Sequence, residues 1–133
     1  MNAVFADTSY YVALLLKTDS RHERAVDFTT TFSGRVITTE WVLSELGNYL
    51  SPVHLRNLFV AFLGDLKLDP EIIIISATSS KFDTGAKLYA ERLDKAWSLV
   101  DCISFLTMRE HGIADAVMTD HHFEQAGFKA VLT

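Results

Sequence analysis

The chain has 133 residues, 49% of them hydrophobic and 22% charged, with two prolines and six glycines; that composition is one globular domain, 1–133, and excludes disordered, collagen-like and repeat architectures. The single cysteine, Cys102, has no partner for a disulfide or a thiolate zinc site, which points to a reducing, cytosolic compartment. Twelve Lys and Arg against 17 Asp and Glu leave a formal charge of -5, an argument against binding nucleic acid through a broad basic surface.

The longest apolar run, 10–16, is far too short to cross a bilayer, and Asp7 precedes any basic residue, so no secretory signal is expected at the N-terminus. Along the chain, short apolar runs at 3–6, 36–38, 72–76 and 116–119, with a weaker one at 130–132, alternate with helical patterns at 10–16, 21–32, 40–50, 55–66, 79–92 and 99–110. This alternation predicts an α/β fold in which helices cover both faces of a parallel sheet.

The first run ends at Asp7, followed by Thr8 and Ser9 and then a helix. An Asp in that place is a preferred helix N-cap; it also stands at the carboxyl end of a strand, where open parallel sheets bind ligands. In the helix 40–50, Glu45 is too far from either end to cap it, and no Lys or Arg lies within a turn. Trp41, Asn48 and Tyr49 at its i-4, i+3 and i+4 positions predict a largely aromatic face around it, the alternative being a solvent-exposed Glu. The next helix, 55–66, aligns Leu55, Leu58, Phe59, Phe62, Leu63 and Leu66 on one face, suited to a core or to a dimer seam. The run Ile72, Ile73, Ile74, Ile75 predicts a strand buried on both faces.

Arg92, Lys95 and Trp97 precede the last long helix and offer cations and a ring to a nucleotide, unless Trp97 simply anchors the helix end in the core. Within that helix Asp101 completes a capping box with Ser98 and also heads an apolar stripe through Ser104, Phe105 and Met108, where a carboxylate wants a cation. Cys102 beside it reads as a small buried hydrophobe. After the run 116–119 comes Asp120, placed as Asp7 is placed; Asp115 reads as a turn acid, the alternative being a peripheral contributor to the site, and His121 and His122, expected to point to different sides, read as bystanders, with His121 allowed a minor role near phosphate.

Asp7, Glu45, Asp101 and Asp120 thus form a set of oxygen donors suited to hard cations such as Mg²⁺ or Mn²⁺ rather than to zinc. Such ions would supply the positive charge that an acidic protein lacks for work on a polyanion.

At these residues the sequence resembles the PIN-domain ribonucleases, especially the VapC-like toxins of prokaryotic type II toxin–antitoxin pairs, over essentially its whole length. The likeness rests on Asp7 in Phe5-Ala6-Asp7-Thr8-Ser9, Glu45 in Val42-Leu43-Ser44-Glu45-Leu46, Asp101 in Val100-Asp101-Cys102, and Asp120 in Thr119-Asp120-His121-His122-Phe123. It implies a three-layer α/β/α sandwich with a mostly parallel central sheet, and Mg²⁺- or Mn²⁺-dependent endonucleolytic hydrolysis of RNA by Asp7, Glu45, Asp101 and Asp120. Thr8 and Ser9 would be supporting groups, and the cleavage would leave a 5′-phosphate. It further implies a cytoplasmic homodimer with a cognate antitoxin and no membrane association. Two other readings stay open: a PIN-like binding module without turnover, and a receiver-type domain phosphorylated on Asp, for which Lys129 is a poor match and Asp7 has no acidic neighbour.

Overall fold

Each short apolar run expected to be a strand supplies one, and the strands lie side by side in a single parallel sheet. The computed structural model describes residues 2–118 and 121–132. Its strands are β1 (Ala3–Ala6), β2 (Arg35–Thr39), β3 (Ile72–Ile75), β4 (Asp115–Val117) and β5 (Lys129–Ala130), in the order β3-β2-β1-β4-β5. All four neighbouring pairs are parallel. The helices are α1 (Thr8–Leu15), α2 (His22–Thr31), α3 (Glu40–Tyr49), α4 (Arg56–Leu68), α5 (Ser79–Glu91), α6 (Leu99–Glu110) and α7 (His122–Gln125), with a 3-10 turn at Val53–Leu55 before α4. The result is the expected three-layer α/β/α sandwich.

β1 and α6 coincide with the expected ranges, and most other elements differ by one to three residues at their ends. α1 begins at Thr8 because Asp7 caps it, its side chain accepting from the Ser9 amide. The short α7 escaped the sequence reading, since four residues carry no helical period. The run expected at 116–119 ends beyond the described residues, and its observed strand starts one residue early, at Asp115.

The chain steps from β1 outward to β2 and β3, then returns to place β4 and β5 on the other side of β1. The strand order therefore reverses between β1 and β4, and a crevice opens at their carboxyl ends. The Asp7 amide donates to the Val117 carbonyl at 3.2 Å, carrying the β1–β4 ladder up to that crevice.

The core is deepest under these central strands. Val4, Phe5, Ala6, Phe105, Met108, Val117 and Phe123 are fully buried. Phe105 meets the Trp97 ring edge-on at 5.0 Å and the Phe123 ring at 4.9 Å, the T-shaped geometry that aromatic quadrupoles favour. α5 lies so close to α6 that a Cβ on Gly85 would come within 2.3 Å of Ile103.

The isoleucine run corrects its expectation. β3 is an edge strand, paired with β2 alone, and all four isoleucines are only half-buried. On α4 only Leu66 is fully buried; Leu58, Phe59, Phe62 and Leu63, and Leu55 just before the helix, are half-buried. Val60 and Leu68 on the same helix are 65% and 84% exposed, so core packing accounts for only part of its apolar surface. Among the described residues no helix is long and apolar enough to cross a membrane.

Candidate active site

At the crevice, Asp7, Glu45 and Asp101 line one cleft of about 420 Å³, together with Thr8, Ser9, Val12, Asp19, Tyr49, Ser98 and His122. Residues 94 positions apart in the chain meet there because two helix N-termini and the middle of a third helix converge on the sheet's carboxyl edge. Asp120 lies outside the described residues.

Asp7 has both roles that the sequence offered. It is the N-cap of α1, and its Oδ2 accepts from the Ser9 amide at 3.4 Å and from Ser9 Oγ at 3.1 Å. Only 4% of it is exposed. Burying a carboxylate so far is tolerable because it sits on the partial positive charge of a helix N-terminus and receives hydrogen bonds. Thr8 Oγ1 donates a short hydrogen bond to Glu45 Oε1 and lies 3.5 Å from the Val42 carbonyl. The residue after the first acid therefore orients the second, linking α1 to α3.

Glu45 is half-buried, but its surroundings differ from the expected aromatic face. Asn48 is exposed and Tyr49 is 57% exposed, while Trp41 lines a different depression on the α4 side. The hydrogen bond from Thr8, rather than an aromatic cage, turns Glu45 into the cleft.

Asp101 forms the predicted capping box: its amide donates to Ser98 Oγ at 3.0 Å and its Oδ2 accepts from the Ser98 amide at 3.1 Å. It is 7% exposed, and in place of the cation it was expected to want, His122 stands beside it, with Nδ1 3.0 Å from Asp101 Oδ2. The two neighbouring histidines do not part as expected: their rings meet edge-on at 5.3 Å, although His121 is exposed and absent from the cleft lining. The reading of His122 as a bystander is corrected too: it belongs to the site.

Asp19 is the other lining residue that the sequence did not suggest. Its Oδ1 accepts from the Arg21 amide at 2.8 Å, and the turn that carries it is tied back by His22 Nδ1 against the Ala13 carbonyl at 2.8 Å. Asp-Ser-Arg-His before a helix announces a cap and nothing more, so no pattern directs Asp19 to the cleft. Asp115 opens β4 in register with Lys129 at the start of β5. Both therefore sit at the amino edge of the sheet, away from the crevice. That placement removes the peripheral role considered for Asp115, and with it the receiver reading, which needs a lysine at the acidic edge.

Trp97 is 5% exposed and its Nε1 donates to Gln125 Oε1 at 3.1 Å. It anchors the start of α6 and offers no open face for a base, which corrects the nucleotide-stacking role. Arg92 covers its ring at 5.0 Å and pairs with Asp94 at 3.0 Å. Arg92 and Lys95 line a second pocket of about 290 Å³ with Tyr89 and Leu93. Trp97 and Cys102 line that pocket while their neighbours Ser98 and Asp101 line the acidic cleft, so the start of α6 divides the two. Cys102 is fully buried as expected; desolvation, reinforced by the charge of Asp101, pushes its thiol pKa up and keeps it protonated.

The donor chemistry of the cleft is that of a hard cation. Among the described residues no three of His, Cys, Asp and Glu are gathered into a ready-made cage that could hold a metal ion. Mg²⁺ seldom uses one: it keeps several waters and takes one or two carboxylates, leaving the remaining sites for substrate phosphate. Carboxylates spread around an open cleft fit that habit.

Comparison with known proteins agrees with this fold. The family model of the PIN domain matches residues 4–129. The sequence is 28% identical over 128 residues to the 23S rRNA-specific endonuclease VapC20 of Mycobacterium tuberculosis, covering 96% of this chain and 97% of that protein. The crystal structure of that VapC20, a Sarcin-Ricin loop cleaving toxin, superposes with a TM-score of 0.88 at 27% identity over 98% of this chain and 99% of the other. FitAcB from Neisseria gonorrhoeae shares the fold at a TM-score of 0.68 and 16% identity, over 96% and 95% of the two chains.

Proposed function

This chain belongs to the PIN domain family, and from that membership and the cleft we propose that it is a metal-dependent endoribonuclease, the toxin of a toxin–antitoxin pair. The observation that carries the reading is the convergence of Asp7, Glu45 and Asp101 on one cleft at the β1–β4 switch point. VapC20, at 28% identity over nearly the whole chain, supports RNA as the substrate and makes 23S rRNA the first RNA to try.

In this reading Asp7, Glu45, Asp101 and Asp120 hold Mg²⁺ or Mn²⁺. When bound, such an ion offsets phosphodiester charge and makes water a stronger nucleophile near neutral pH. Thr8 fixes the Glu45 carboxylate and Ser9 that of Asp7. Attack of water on phosphorus in line with the departing 3′-oxygen leaves a 5′-phosphate. Arg92 and Lys95, across the start of α6 from the acids, contact the phosphates of the flanking nucleotides. They supply locally the positive charge that the whole chain lacks. Trp97 holds that segment from below.

The half-exposed apolar surface of α4 and the open edge at β3 are the seam of a homodimer. A cognate antitoxin covers the acidic cleft in the cytoplasm until the toxin is released.

The purified chain, freed of any bound protein, is expected to cut RNA with Mg²⁺ or Mn²⁺ and to stop with chelator. Asp7→Asn should lower cutting by more than about a hundredfold, since even outer partners of metal ligands are worth 10–100-fold. Full activity of that variant in chelator would refute the mechanism. A wild-type chain that neither binds Mn²⁺ at millimolar concentration nor cuts RNA would establish the silent binding module instead.

A further inference from the structure

We infer that His122 is a positioning residue whose Nδ1–H fixes the Asp101 carboxylate in the cleft. An ionised carboxylate only accepts hydrogen bonds, so the 3.0 Å contact with Asp101 Oδ2 requires the proton to sit on His122 Nδ1. The same Oδ2 accepts from the Ser98 amide at 3.1 Å. Two donors from different elements converge on one oxygen, and together they set the rotamer of the carboxylate.

His122 is itself held by the residues that follow it. Phe123, fully buried, packs against Phe105 at 4.9 Å and Phe5 at 6.2 Å. Gln125 accepts from Trp97 Nε1 at 3.1 Å. Trp97 precedes Ser98, the cap that completes the Asp101 box. The contacts therefore close a circuit from Trp97 through Ser98, Asp101, His122 and Gln125 back to Trp97. A helix of one turn is rigid here because both of its ends are bonded to the start of α6. The circuit explains why a segment with no helical period folds as α7 at all.

The inference uses the nuclease reading for its metal-affinity and kinetic arms, and its test has a metal-free arm. Asn and Gln separate the two ring nitrogens: an Asn amide nitrogen, like Nδ1, is bonded to Cγ, whereas a Gln amide nitrogen reaches about as far as Nε2. His122→Asn should keep Mn²⁺ affinity, measured by calorimetry, within about threefold of the parent. His122→Gln and His122→Ala should weaken it by about 10–100-fold, the usual cost of removing such a partner. With RNA the loss should appear in kcat, with KM unchanged, because His122 acts through Asp101. Imidazole ¹⁵N spectra of the metal-free parent, taken above the pH at which the ring titrates, should show the proton on Nδ1. A proton on Nε2, or rescue by Gln as complete as by Asn, would overturn the inference. Thermal unfolding of each variant separates a positioning defect from a folding one. If the parent neither bound Mn²⁺ nor cut RNA, the nuclease reading would fail while the spectrum still decided the role of His122.

Discussion

β1 and β3 are both four-residue apolar strands, Ala-Val-Phe-Ala and Ile-Ile-Ile-Ile, parallel in the same sheet. By composition β3 is the more hydrophobic, yet β1 has Val4, Phe5 and Ala6 fully buried while every isoleucine of β3 is half-exposed. The difference comes from strand order: β1 lies between β2 and β4, and β3 has a neighbour on one side only. Hydrophobicity says that a segment wants cover; topology decides how much it receives within one chain. The centre spends its burial on holding charged groups at the switch point, and the edge keeps apolar surface for another molecule.

The largest test of that contrast is thermodynamic. Phe105→Ala removes a fully buried ring that touches Trp97, Phe123 and Phe128, and should cost about 3–5 kcal/mol in urea unfolding. Leu68→Ala on α4, at 84% exposed, should stay within about 0.5 kcal/mol. Comparable losses at the two positions would erase the distinction between centre and edge.

How much of this was legible beforehand follows the same division. Each strand and long helix was readable because apolar periodicity is local, and Asp7, Glu45 and Asp101 were readable because acids at element ends or without helical partners stand out from their neighbours. The edge position of β3 was not, because strand order is set by crossovers that the run of isoleucines does not encode. Asp19 and His122 were missed for a related reason. Each enters the cleft through a tertiary tie, His22 to Ala13 in one case and Phe123 with Gln125 in the other, and neither tie leaves a spacing in the sequence. Trp97 was ambiguous between base and core until its indole N–H was found spent on Gln125.

Next in size is the edge. If α4 and β3 form a homodimer seam, Val60→Asp places a charge where desolvation costs several kcal/mol. Light scattering should then show a monomer, while the unfolding free energy of the isolated chain moves little, because Val60 is 65% exposed. A parent already monomeric at high micromolar concentration would remove the seam from the proposal.

Smaller again is the effect expected at Thr8, which contacts the site through Glu45. Thr8→Val deletes the hydroxyl donor at nearly constant volume and should slow RNA cutting by about tenfold, within the range for a residue that orients a metal-binding group. Thr8→Ser should retain most of the rate, since the hydroxyl remains. Equal losses in both variants would mean that the methyl group, and so packing, matters more than the hydrogen bond.

The smallest effect is the sharpest use of the comparison, because it sets Asp against Asp on neighbouring strands. Asp7 follows β1 and Asp115 opens β4, and the two strands run parallel with Phe5 opposite Ala116 and Ala6 opposite Val117. Asp115 therefore stands level with Val4, at the amino side of the ladder, three strand residues or about 10 Å below the level of Asp7. Its backbone register partner is Lys129, at the start of β5. Asp115→Asn should thus leave Mn²⁺ affinity and RNA cutting within twofold of the parent, where Asp7→Asn removes both. If the two substitutions were equally damaging, the chemistry would depend on the protein's overall negative charge rather than on carboxylates gathered at one edge of the sheet.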